Sequence, residues 1–127
     1  TTQGITLMGH DGIPSAGAST NPIMSSNGRF IIFQSGTTNF VDGDTNNVDD
    51  VFLYDLETGS MTRASVGTLG QQSTKDCEPV GVSDSGRYVF FATTTNSLLG
   101  AAPNIKQIYR KDMVKRQKSY RKTERVQ

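Results

Sequence analysis

The residues best suited to chemistry lie in one short acidic segment, DGDTNNVDDVF, which begins at Asp42 and runs directly into an apolar pair. Counting from Asp42, side-chain oxygens fall at the first, third, fifth and ninth positions, and the seventh position offers a backbone carbonyl. Ca²⁺ takes about six to eight oxygen ligands, which alternating acidic residues in a tight loop can supply. The spacing therefore predicts a calcium site formed by Asp42, Asp44, Asn46, Val48 and Asp50. The alternative is an acidic surface hairpin in which Asn and Asp only serve the turn geometry.

No other part of the sequence has the spacing of a reactive site. His10 is the only histidine, and no Ser or Cys stands in a nucleophile motif that it could serve as a base. Cys77 is the only cysteine, so no internal disulfide or thiolate zinc cluster can form. The glycines at Gly67 and Gly70 lack the Lys-Ser/Thr ending of a phosphate-binding loop. The sequence therefore favours a non-catalytic binding or structural module.

Charge is divided unevenly along the chain. Residues 1–105 carry four basic and ten acidic residues (4 − 10 = −6), whereas residues 106–127 carry nine basic and two acidic ones (9 − 2 = +7). The basic end also contains Tyr109 and Tyr120, so nucleic-acid binding is an alternative function, because phosphates attract clustered cations and bases stack on aromatic rings. No nucleic-acid-binding fold signature accompanies the charge, which favours a solvated strand paired with the acidic body.

Composition limits the class of protein. A chain of 127 residues with 34% hydrophobic residues and 13 glycines is typical of one loop-rich all-β domain. No stretch approaches the roughly 18 apolar residues of a membrane helix, so we expect no membrane partner, and localisation stays open.

Two segments of the chain repeat each other. The segment starting NPIMSSNGRF aligns with EPVGVSDSGRY, which pairs Pro22 with Pro79 at a spacing of 57 residues and predicts a shift to 58 at the following Gly-Arg turn. A shorter alignment places the first residues of the chain over the segment that starts at Met61. The predicted units are the end of a preceding repeat, a repeat with the acidic segment, and a second repeat with a divergent basic tail: residues 1–21, 22–78 and 79–127.

Each repeat has the pattern of an antiparallel meander. Asn27-Gly28 and Ser85-Gly86 mark tight turns, and each is followed by a β-branched and aromatic run. Residues 51–54 and 60–65 predict further strands of the first repeat. A meander repeated every 40 to 60 residues, roughly, is typical of β-propellers. The predicted fold class is therefore all-β, with about two propeller-type blades in this chain, an incomplete propeller.

The motifs of the first repeat resemble those of a known family. They are the turn at Asn27-Gly28-Arg29, Asn39-Phe40-Val41, Asp44-Thr45-Asn46, Asp50-Val51-Phe52 and the turn from Asp55 to Gly59. Together they resemble the WD40-like repeat of bacterial β-propellers related to the TolB family, over Pro22 to about Leu98. The acidic segment is similar to the calcium loops of FG-GAP propellers such as integrin α-subunits. The resemblance implies a propeller blade, and it adds an accessory domain of a hydrolase as a further alternative function.

The second repeat has lost the acidic pattern. Its equivalents of the four side-chain ligands are Leu99, Ala101, Pro103 and Gln107, none of which is a carboxylate. The sequence therefore predicts one calcium ion per chain.

The number of repeats bears on assembly. Propellers of the resembled family have six or more blades, and two blades leave strand edges and faces without neighbours. We expect self-association into a homo-oligomer, most simply a trimer with six blades, or a chain that is the remainder of a longer propeller.

Overall fold

Each strand pairs antiparallel with the strand next to it in the sequence, which gives two separate meanders. The computed structural model describes residues 7, 9, 17–95, 97–98, 105–114 and 121–126. The first sheet contains four strands: β1 Ser19–Met24, β2 Phe30–Ser35, β3 Asp50–Asp55 and β4 Met61–Arg63. The second sheet contains β5 Cys77–Val82, β6 Tyr88–Thr93, β7 Gln107–Asp112 and β8 Thr123–Arg125. The all-β prediction is confirmed, and the arrangement is consistent with two blades of an incomplete propeller.

No helix occurs in the part of the chain just listed, and accordingly none there could cross a membrane. Of the first predicted unit, residues 1–21, the structure describes only residues 7, 9 and 17–21. Within it β1 already begins at Ser19, so the first sheet starts before the predicted boundary at residue 22.

The two sheets are copies of one pattern. The Arg29 guanidinium donates two hydrogen bonds to Asp55, at 3.0 and 2.9 Å. Arg87 donates two to Asp112 in the same way, both at 3.2 Å. Beyond the last strand of each sheet, the backbone N–H of Ala64 donates to Val51 and that of Val126 to Ile108, both at 2.8 Å. The sequence repeat is therefore a structural repeat.

The structure corrects the register of the repeat. Ser19 pairs with Ser35 in the first sheet, and Cys77 pairs with Thr93 in the second. Equivalent residues of β1 and β5 are therefore already 58 positions apart, before the Gly-Arg turn. The third strands are 57 residues apart, because Asp50 pairs with Ser35 and Gln107 with Thr93. The expected shift at the Gly-Arg turn is therefore wrong, and the one-residue change lies in the loop after the second strand.

The two sheets stack through one core. Side chains alternate between the faces of a strand, so the alternate residues of each strand share a face. One face of the first sheet contributes Phe30, Ile32, Val51, Leu53 and Ala64 to this core. The second sheet and its loop contribute Cys77, Val89, Phe91, Leu98 and Tyr109.

A second, smaller cluster lies on the opposite face of the first sheet. Its buried members are Phe33, Phe40 and Phe52, whose rings pack within 5.1 to 5.9 Å of one another. Leu7 packs against this cluster from the segment before β1. The first sheet therefore has apolar side chains on both faces.

Candidate functional site

Of the five residues predicted to bind calcium, Asp50 is the first residue of β3 and the other four lie in the loop between β2 and β3. The side chains of Asp44 and Asp50 are buried, with 7% and 0% of each residue exposed. Asn46 and Val48 are half-buried, and Asp42 is exposed. The loop therefore folds back on the sheet and brings only part of the predicted set into the interior.

The partner of the two buried carboxylates is Arg63, which the sequence analysis did not select. The Arg63 Nη1 lies 3.2 Å from Asp44 Oδ1 and 3.5 Å from Asp50 Oδ2. It also donates a hydrogen bond of 2.8 Å to Gln72 Oε1. Arg63 is placed here by the pairing of β4 with β3, in which it stands opposite Phe52. A guanidinium thus occupies part of the position that the sequence assigned to a metal ion.

Polar neighbours hold Asp50 from several sides. The Ser65 hydroxyl donates to Asp50 Oδ1 at 2.8 Å. The Asn46 amide nitrogen donates to the same oxygen at 3.3 Å and to the Ser73 carbonyl at 3.0 Å. The Asn46 Oδ1 atom is buried and has no hydrogen-bond partner within the described part of the chain, and Arg63 Nε is in the same situation. Within the part of the chain that the structure describes, an acceptor without a donor therefore lies on the side chain that contacts the buried Asp50.

The protonation of the carboxylates reflects an incomplete balance of charge. Burial, and after it the neighbouring charge of Asp50, raise the pKa of Asp44 to about 6 against the opposing charge of Arg63. Burial also raises the pKa of Asp50, against the hydrogen bond from Ser65 and the charge of Arg63. Two carboxylates facing one guanidinium leave a formal charge of −1 in a poorly solvated place. The cluster of Asp44, Asp50 and Arg63, which we call the acidic cluster, therefore favours an additional proton or cation.

The donor set fits a hard cation in part. Asp44, Asn46 and Asp50 offer oxygens near one another, and oxygen ligands suit Ca²⁺. Over the ranges that the structure describes, however, no three His, Cys, Asp or Glu side chains come close enough to hold a metal ion together, so Asp42 does not join the other two carboxylates. A calcium ion here would use Asp44, Asn46 and Asp50 and would compete with Arg63 for the two carboxylates.

The second repeat keeps the arginine without the acids. Gln107 is the equivalent of Asp50, because the two residues pair with Thr93 and Ser35 at the same place in each sheet. Arg125 is the equivalent of Arg63, because they pair in the same way with Tyr109 and Phe52. The other three equivalents lie outside the described residues: Leu99, Ala101 and Pro103. His10 also lies outside them.

The basic end pairs largely with its own sheet. Lys106 forms an ion pair of 2.5 Å with Glu78, and Arg110 forms one with Glu124. Lys111 is buried, and its ammonium donates to the backbone carbonyls of Val66, Gly67 and Arg121. Burial lowers the pKa of Lys111 to about 8. Of the two ion pairs, the one of Lys106 with Glu78 joins the basic end to an acid of residues 1–105. Pairing of the tail with the acidic body and nucleic-acid binding both stay predictions.

The remaining candidate for reactivity is Cys77, which is fully buried. Burial raises the pKa of its thiol to about 11, so the nucleophilic thiolate is scarce at neutral pH.

No family model, curated protein or solved structure matches the chain.

Proposed function

We propose that this chain is a non-catalytic structural or binding module of the β-propeller type, built from repeats that stack one upon the next. The observation that carries the proposal is the way the repeats meet. Phe33 and Phe91 are equivalent positions of the two sheets. Phe33 lies two residues before Ser35, which pairs with the first residue of β3, and Phe91 lies two residues before Thr93, which pairs with the first residue of β7. Phe91 faces the core between the sheets, whereas Phe33 faces away from it.

The sheets therefore meet through unlike faces. If equivalent faces met, each sheet would bury the same face in the interface. The two outer faces would then also be alike, and no further repeat could add in the same way. When unlike faces meet, each end of the stack still carries the complement of the other, and further repeats can add in the same sense. This open arrangement supports a stacking module over a self-contained two-sheet domain.

Stacking predicts coupling between neighbouring repeats. We expect a chain in which residues 19–76 are duplicated in tandem to unfold at higher denaturant concentration than the natural chain and in one transition, because each new interface adds stability. The control is the same tandem chain with Ile32→Lys in the copy whose Ile32 faces the added interface. A separate transition for the added copy, or no gain over the control, would contradict the proposal.

We also propose that the acidic loop binds one calcium ion, with Asp44, Asn46 and Asp50 as its inner ligands and with the Val48 carbonyl available from the same loop. The support is the residual charge of −1 in the acidic cluster and the buried Asn46 Oδ1, which receives no hydrogen bond from the described residues. The ion would fasten the loop to β3 and would not take part in a reaction. Calorimetric titration with calcium tests this part separately from the stacking.

A further inference from the structure

The outer face of the second sheet exposes apolar residues whose equivalents in the first sheet are buried. Val51 and Ala64 are fully buried between the sheets, and their counterparts Ile108 and Val126 are 40% and 45% exposed. The equivalence rests on the shared hydrogen bond between each pair. Tyr88 and Phe90 stand at the positions of Phe30 and Ile32 and are half-buried. We call Tyr88, Phe90, Ile108 and Val126 the trailing face.

The outer face of the first sheet carries an apolar groove of about 170 Å³. Ile31, Phe33 and Tyr54 form its floor, and residues before and within β1 form its rim: Leu7, Ser19, Thr20 and Pro22. We call this groove and its lining the leading face. Leu7 fills part of this face, and the groove remains beside it.

The core between the two sheets indicates what fits the leading face. Ile31 and Phe33 are equivalent to Val89 and Phe91, which pack against Phe30 and Ile32 of the first sheet. The residues equivalent to Phe30 and Ile32 are Tyr88 and Phe90 of the trailing face. The trailing face is therefore the surface that the repeat pattern matches to the leading face, except that Arg110, whose guanidinium lies over the Tyr88 ring, takes the place of the buried Leu53.

The turn glycines provide an independent match. A Cβ atom placed on Gly86 would lie 2.5 Å from the Phe30 ring, so Phe30 packs directly on this glycine. Gly28 occupies the same turn position in the first sheet, and a Cβ there would approach only the Met24 sulfur, at 3.9 Å. Among the described residues, nothing else occupies the space above Gly28 where the ring of a residue equivalent to Phe30 would lie, and that residue is Tyr88.

We infer that this chain associates with a second copy of itself, head to tail, with the trailing face of one copy on the leading face of the next. Within one molecule the two faces point in opposite directions, so they meet only between molecules. Residues 1–76, which include the first sheet, carry a formal charge of 3 − 8 = −5, and residues 77–127, which include the second sheet, carry 10 − 4 = +6. This favours the head-to-tail order, because the basic second sheet of one copy would face the acidic first sheet of the next. The inference rests on the proposed stacking.

The test is sedimentation velocity of the full chain over a range of concentrations, with one variant for each face. Ile108→Asp places a charge on the trailing face at a side chain that is already exposed, and Ile31→Asp places one in the leading groove. Gly28→Ala is the second leading-face variant, since its Cβ has room in the single copy and would meet Tyr88 of a neighbour. We expect the natural chain to sediment as an oligomer at micromolar concentration and each variant alone to sediment as a smaller species.

The decisive sample is an equal mixture of Ile108→Asp and Ile31→Asp. Head-to-tail association leaves one natural face on each variant, so the mixture should form a dimer of one copy of each. A natural chain that stays monomeric throughout, or a mixture that does not form this dimer while both variants keep the circular dichroism of the natural chain, would overturn the inference. If Ile31→Asp does not fold, Gly28→Ala takes its place in the mixture. The tandem-chain experiment tests stacking within one molecule, so its result distinguishes a failure of stacking from a failure of association.

Discussion

The ring of Phe30 packs against Gly86 so closely that no side chain could be added at that glycine without displacing the ring. Phe30 belongs to β2 of the first sheet, and Gly86 lies in the turn before β6 of the second. Gly86 has a φ of +71° and Gly28, its equivalent, a φ of +74°. The two glycines thus share one backbone conformation and differ in what lies above them, which makes them a matched pair for measuring the contact between the sheets.

Gly86→Ala should destabilise the chain more than Gly28→Ala does. Both substitutions place a side chain at positive φ, which costs about 1–2 kcal/mol. Only Gly86→Ala also displaces the Phe30 ring, and overpacking of this kind costs about 1–3 kcal/mol more. Chemical denaturation of both variants at a concentration where the chain is monomeric measures the difference. Equal losses would mean that the sheets do not meet at this turn.

Phe91→Ala should cost about 3–5 kcal/mol of the free energy of unfolding, the usual range for a buried phenylalanine. Phe91 is fully buried and stacks on Tyr109 with 5.6 Å between ring centroids. Phe33, the equivalent of Phe91, is also buried, but it lines the leading groove. Phe33→Ala should therefore cost less than Phe91→Ala. A loss under about 0.5 kcal/mol at either position, as at a surface site, would contradict the assigned register of the repeats.

The stability of the chain should depend on pH through Asp44. Its pKa is raised from 3.8 to about 6 in the folded protein, so the folded state favours the protonated carboxyl. The stability that the protonated Asp44 carboxyl contributes to the folded state is therefore complete below about pH 4 and is lost as the pH rises through about 6. Asp44→Asn should match the natural chain near pH 4 and exceed it at pH 7, by at most about 3 kcal/mol at 1.36 kcal/mol per pKa unit.

Denaturation with urea at both pH values checks this expectation. Asp42→Asn controls for the loss of one negative charge from the same loop, at an exposed position. A natural chain that gains stability over Asp44→Asn between pH 4 and pH 7 would show that Arg63 compensates Asp44 fully, contrary to the assigned electrostatics.

Calcium should bind once per chain, with a dissociation constant between about 10⁻⁵ and 10⁻³ M, because the site has few carboxylates. Asp44→Ala should abolish binding. Arg63→Gln should tighten it, since the guanidinium and the ion compete for Asp44 and Asp50, and should lower the melting temperature in the absence of calcium. Isothermal titration with calcium, and with magnesium as the control ion, measures both effects. Unchanged calcium binding in Asp44→Ala, or no binding to either the natural chain or Arg63→Gln, would exclude the site.

The sequence predicted the strands that are apolar and that follow a clear turn. β2 begins at Phe30, directly after the turn at Gly28, and β3 overlaps the predicted strand at residues 51–54. The strands β1 and β5 were not predicted as such, because each contains a proline, Pro22 and Pro79, which is unfavourable within a ladder. Both are edge strands that are irregular near the proline, where the missing N–H is tolerated.

The candidate site was predicted only in its acidic half. Asp44 and Asp50 are close in sequence, so their proximity follows from the loop itself. Arg63 reaches them through the pairing of β3 with β4, and a single arginine in a short strand gives no local signal of that contact. The direction in which the sheets stack could not be predicted from the sequence either. Alternation of apolar residues along a strand indicates two faces of a sheet, but it does not indicate which face packs against which neighbouring sheet.

Cys77 reports directly on whether the two sheets form one stacked unit. It is the only cysteine, it is fully buried, and it lies in the core between the sheets. We propose to measure the rate at which a thiol reagent labels Cys77 at pH 8, under native conditions and at increasing urea concentration. The account predicts labelling only through global unfolding, with a protection free energy equal to the free energy of unfolding measured by circular dichroism. Labelling within seconds in the absence of urea, with the far-ultraviolet spectrum unchanged, would show that the sheets separate without unfolding and would contradict the account.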